Sequence, residues 1–126
     1  MVGANLRRAN LHKAKLTTSN LSAADLTASD FREVDLNGAN LRGSDSRATD
    51  FWKANLKEAI LRNADLREAN LWGVDLTLAD MRGANLSYTD LGSANLMGAD
   101  TRAARFESAT FCNTKMPSQE INQSGC

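Results

Sequence analysis

The 126-residue chain holds one proline, two cysteines and one histidine, and its basic and acidic side chains cancel. Each scarcity excludes something. Two cysteines are too few for a disulfide scaffold, and His12, with no cysteine beside it, gives no metal-ligand spacing. Fifteen basic against fifteen acidic residues leave bulk charge silent about partners. A charged-then-apolar leader and a long apolar run are both missing, so neither secretion nor a membrane span is expected, and the cytoplasm is the default location. Helical periodicity is missing as well. What is present is a step of five.

In the stretch ADLREANLWGVDL, residues 64 to 76, leucine stands at 66, 71 and 76, always preceded by Asp or Asn. On an α-helix such a step carries leucines around every face, and on a continuous strand it flips them from side to side. Yet it persists from Leu6 to Met116 without a slip. Of 23 central positions fifteen are Leu and four Phe, and only Ser46 and Thr101 are polar. Two residues before, fifteen of 23 are Ala; one residue before, ten are Asp and eight Asn. A small and a large residue two apart point the same way along a short extended segment, so both face inward. Asp or Asn between them suits a turning chain, because its short side chain bonds nearby amides. The next two positions are mixed and polar, as solvent-facing corners are. A chain that turns equally every five residues with its leucines inside must wind into a stacked coil, a β-solenoid.

This pattern resembles the pentapeptide-repeat family, whose signature is A-(D/N)-L-x-x in tandem, and the resemblance covers residues 4 to 116. It implies an all-β fold, a right-handed quadrilateral β-helix with four repeats and about 20 residues per coil, similar to the short cyanobacterial members. Residues 1–116 form the repeat domain and 117–126 a polar tail that either folds over the last coil or is disordered. The chain itself only hints at twenty: Phe31 with Phe51, Trp52 with Trp72, and Arg42, Arg62, Arg82 and Arg102 are so spaced, but Arg32, Arg47 and Arg62 fit a step of fifteen.

No chemistry surfaces in the repeats. All ten aspartates occupy the turn-setting position, the glycines are isolated, and an interior of Leu, Phe and Ala leaves no pocket. The protein is therefore expected to be no enzyme and to need no cofactor or metal. Cys112 and Cys126 are expected as reduced thiols. Outward positions carry twelve basic residues against four acidic ones, which makes a poor imitation of DNA. That places second the family activity of occupying type II topoisomerases by DNA mimicry. Direct nucleic-acid binding through Arg, Trp52, Trp72 and Tyr88 is opposed by aspartates beside every coil. The leading expectation is a scaffold that offers a surface to a protein partner, with Arg42, Arg62, Arg82, Arg102, Trp52 and Trp72 as candidate contacts. Repeat character from Ala4 onward raises the further expectation of end-to-end self-association through the first coil. Ser46, a hydroxyl where a leucine belongs, marks a weak point, and Ser46→Leu is expected to stabilise by roughly 1 kcal/mol.

Overall fold

The computed structural model describes all 126 residues. Nineteen parallel bridges tie the chain to itself, from Asn5↔Asp25 to Asn95↔Lys115, and every one joins residues twenty apart. The coil therefore holds four pentapeptides, and the ambiguity left by the arginines is resolved. β-Pairing touches one residue per repeat, the one before the central position, because the segments between corners are too short for a longer strand.

The repeat 64–68 shows how the backbone closes. Ala64 N–H donates to the Leu61 carbonyl at 3.0 Å, closing a turn. Asp65 N–H reaches down a coil to Ser44 at 2.9 Å, and Leu66 N–H reaches up to Asn85 at 2.8 Å. Glu68 N–H also reaches up, to Ser87 at 3.1 Å. The fifth donor, Arg67 N–H, has no carbonyl and is taken by its own repeat's side chain, Asp65 Oδ1, at 3.2 Å. All five donors are satisfied, as a half-buried backbone requires. From Leu6 to Phe111 the residue two after each central position has positive φ, for example 62° at Glu68 and 59° at Leu78. A single left-handed residue per corner costs about 1 kcal/mol, and the bonds on either side hold it there.

Four faces result. The first stacks Leu6, Leu26, Ser46, Leu66, Leu86 and Phe106, and the second Leu11, Phe31, Phe51, Leu71, Leu91 and Phe111. The third runs from Leu16 to Met116 and the fourth from Leu21 to Thr101. From Leu21 to Leu96 every central residue is buried, and from Leu26 onward so is the small residue two before it. Phe31 and Phe51 meet edge to face at 5.5 Å.

The polar patch anticipated at Ser46 is real and fully bonded. Ser46 is wholly buried, with its Oγ 3.1 Å from Ser44 Oγ. Thr49 donates to the Leu26 carbonyl at 2.8 Å. Leucine at 46 would break the Ser44–Ser46 pair and leave the buried Ser44 hydroxyl with no partner, which turns the expectation for Ser46→Leu toward destabilisation.

The tail folds over the last coil. β1 (Thr114–Lys115) pairs antiparallel with β2 (Ile121–Asn122), and Phe111 N–H donates to the Ser124 carbonyl at 2.7 Å. The hairpin returns Cys126 to Cys112, 4.6 Å away between Cα atoms, and the two form a disulfide. The expectation of reduced thiols is corrected: the tail pairing holds the cysteines together, which their separation of fourteen residues did not disclose. No helix is long and apolar enough to cross a membrane.

Two outcomes follow from this packing. Ser46→Leu should lower stability by about 1–3 kcal/mol by stranding the buried Ser44 hydroxyl, read as a reduced denaturation midpoint; a raised midpoint would show that the added apolar burial outweighs the lost bond. Cys126→Ser should weaken the cap by about 3 kcal/mol, the usual worth of closing a loop this long. Amide exchange at Phe111 and Met116 reads this, and unchanged protection would detach the disulfide from cap stability.

Candidate interaction surface

The twenty-residue coil decides which candidate residues are neighbours. Arg42, Arg62, Arg82 and Arg102 stand in one file on the fourth face, successive members one coil apart, about 4.8 Å. Trp52 and Trp72 stand on the second face. The coil places these two faces two corners apart, so the candidate residues form two surfaces on opposite sides and not one.

The tryptophans are largely occupied with each other. Their rings stack at 6.1 Å and 14° between planes, and Lys53 Nζ lies 4.4 Å over the Trp52 ring. The next residue in the file is Gly92, where a Cβ would come within 2.7 Å of Trp72 Cδ1. Glycine there lets the Trp72 ring lean over the coil above.

The arginine file is uneven. Arg82 grips Asp80 through two parallel bonds, Nε to Oδ1 at 2.8 Å and Nη2 to Oδ2 at 2.5 Å, and lies 3.6 Å from Asp100. Arg102 grips Asp100 in the same way, at 2.9 and 2.5 Å. Arg62 has only Asp80, at 4.0 Å, and Arg42 has no carboxylate within ion-pair distance. Beside the file runs an open depression of about 320 Å³ lined by Arg62, Asn63, Arg82, Gly83, Arg102 and Ala103.

Elsewhere the carboxylates serve the turns. Each of the ten aspartates accepts the N–H two residues on, at 2.9 to 3.3 Å. Stacked carboxylates are relieved where Asn follows Asp, as in Asn55 Nδ2 to Asp35 and Asn70 Nδ2 to Asp50, both 3.0 Å. The bond from Arg102 holds the Asp100 carboxyl down at about 2, and that from Arg32 does the same to Asp30. Asp80, Asp45 and Asp65 are lowered by Arg82, Arg47 and Arg67. His12 is an exposed partner of Glu33 at 3.3 Å, and no group of side chains is arranged to hold a metal ion.

Sequence reasoning singled out the file and the missing counter-charge at Asn40 and Ile60, but gave the Ile60 side chain no contact of its own. The available signal was that Ile60 is the one apolar residue among the 23 positions preceding a central residue. It is 37 % exposed.

The molecule is thus a four-sided β-solenoid of five-residue repeats. It belongs to the pentapeptide-repeat family, whose model matches eight copies over residues 4–43, 47–83 and 79–116. Among solved structures it is similar to a pentapeptide repeat protein from the thylakoid lumen of Arabidopsis thaliana, at 34% identity and TM-score 0.71, over 72% of this chain and 63% of that one. A second similar structure is the pentapeptide repeat protein Rfr23 from the cyanobacterium Cyanothece 51142, at 28% identity and TM-score 0.60, over 89% of this chain and 87% of that one. A third is QnrB1, a plasmid-mediated fluoroquinolone resistance protein, at 24% identity and TM-score 0.67, over 96% of this chain and 63% of that one. That last likeness carries the fold alone. The chain spans about 63% of the length of the Arabidopsis protein. No curated protein matches it.

The carboxylate clamps set an acid dependence. Because their folded pKa values are depressed below 3.8 toward about 2 in Asp100, the stabilisation is complete above about pH 4 and is lost as pH falls through 2. The Asp80→Asn, Asp100→Asn double variant should lose stability relative to wild type above pH 4, and the difference should shrink toward pH 2. A difference independent of pH would mean that the clamps do not contribute through charge.

Proposed function

We propose that the protein is a non-catalytic scaffold, a rigid right-handed quadrilateral β-helix that presents its fourth face to an acidic segment of a protein partner. The observation that carries this reading is the unequal arginine file: Arg82 and Arg102 are neutralised within the protein, whereas Arg42 and Arg62 keep their charge for something else. Two further facts support it. The interior is filled with side chains at every level, so nothing small is enclosed, and the ten aspartates are committed to backbone turns. Arginine suits the role, because its planar fork meets a carboxylate with two parallel bonds.

The disulfide favours an oxidising compartment over the cytoplasm expected from the sequence. Self-association through the edge of the first coil is a second part of the proposal; Leu6, Leu11 and Leu16 there are only half-buried. Light scattering over a range of concentrations reads it, and a constant monomer mass would remove that part.

Occupation of a type II topoisomerase is the competing reading, and its one support is the QnrB1 likeness, which speaks for fold. The two are separated by paired assays. A scaffold captures one protein from the native lysate in a salt-sensitive way and leaves gyrase supercoiling untouched. Inhibition of supercoiling, or no salt-sensitive capture at all, would overturn the proposal.

A further inference from the structure

The repeats with arginine after the central position contain their own template. In Asp30–Arg32, Asp45–Arg47, Asp65–Arg67, Asp80–Arg82 and Asp100–Arg102 the same clamp recurs: the arginine's Nε and Nη2 reach the two oxygens of one carboxylate, at 2.8–2.9 and 2.5–2.7 Å. Three of these carboxylates are also approached by an arginine from the coil beneath: Arg47 lies 4.0 Å from Asp65, Arg62 4.0 Å from Asp80, and Arg82 3.6 Å from Asp100. Where arginines stand on successive coils, an aspartate preceding the central position therefore serves two of them, its own and the one below.

At position 60 that residue is isoleucine. One substitution in the pattern removes two carboxylate contacts, the clamp on Arg62 and the upper contact of Arg42. Asn40 accepts the Arg42 N–H at 3.0 Å but supplies no charge, and the Asp80 carboxylate near Arg62 is already clamped by Arg82. Two under-neutralised guanidinium groups thus flank an exposed apolar side chain, on a face where every other arginine is held by carboxylates.

Resting on the partner-binding reading, we infer that Arg42, Ile60 and Arg62 form a docking site for an acidic protein segment in which an apolar side chain accompanies carboxylates. The carboxylates take the forks of Arg42 and Arg62, as Asp65 takes that of Arg67, and the apolar side chain covers Ile60. Charge complementarity selects the occupant, and Ile60 distinguishes such a segment from a bare polyanion.

The test restores the missing carboxylate. A fluorescein-labelled peptide of alternating Asp and Leu is titrated into wild type, into Ile60→Asp, and into Asn10→Asp, which adds the same charge on the opposite face. Wild type and Asn10→Asp should bind alike, and Ile60→Asp at least about tenfold more weakly, the loss of one good contact; the Asn/Leu peptide should not bind. Should Ile60→Asp fail to fold, the Arg42→Gln, Arg62→Gln variant must show the same loss. Equal binding by wild type and Ile60→Asp, an equal loss in Asn10→Asp, or binding of the neutral peptide each overturns the inference. Tighter binding of a DNA duplex than of the acidic peptide does so too. In lysate capture, no partner for wild type removes the function proposed above. The same partner held equally by Ile60→Asp leaves that function standing and removes this site.

Discussion

Every repeat must find acceptors for five backbone N–H groups, and carbonyls supply only four. Neighbouring coils and the corner turn take four donors, and the fifth, on the residue after the central leucine, points to the corner where no carbonyl lies. An Asp or Asn two residues earlier supplies the missing oxygen. All eighteen Asp and Asn residues at that position make this bond, from Asn5 to Arg7 through Asp100 to Arg102. A leaking donor at each corner would cost about 1 kcal/mol or more, repeated at every level of a fold with few other sources of specificity. The A-(D/N)-L-x-x signature is this accounting written as sequence: alanine and leucine fill the interior, and the residue between them completes the corner.

The same constraint explains why the surface is legible only in part. The fold was readable because position within the repeat determines burial, so the periodic Leu and Ala could be sorted into core and corner before any coordinates. The coil size was not readable from the arginines, since spacings of fifteen and twenty both occur; inter-coil hydrogen bonding settles it, and a one-dimensional pattern holds no record of which levels touch. The cap was hidden for a related reason. Residues 117–126 leave the repeat, and the pairing of Ile121 with Lys115 that delivers Cys126 to Cys112 is a local event with no periodic signal. Ser46 shows the converse: its position was readable, but the bond from its hydroxyl to that of Ser44 was not.

Exceptions to the repeat are where an individual protein can differ from its family. Lys15, Arg105, Thr110 and Lys115 break the Asp/Asn rule near the ends of the solenoid, where coils have a neighbour on one side or a cap. Ile60 breaks it in the middle, in a file of arginines that elsewhere carries its own counter-charges. An apolar residue there forgoes a corner bond and two ion contacts. Such a departure is the kind of local conflict expected at a functional position.

The central claim is that the Asp or Asn side chain completes the backbone at each corner and that Ile60 leaves one mid-solenoid corner open. Amide hydrogen exchange measured residue by residue tests it most directly. Arg42, Arg82 and Arg102 share a face with Arg62 and have their N–H groups bonded to Asn40, Asp80 and Asp100. The account predicts that the Arg62 amide exchanges at least about fivefold faster than those of Arg42 and Arg82, the rate expected for one lost bond of about 1 kcal/mol or more. Equal protection of Arg62 would contradict it.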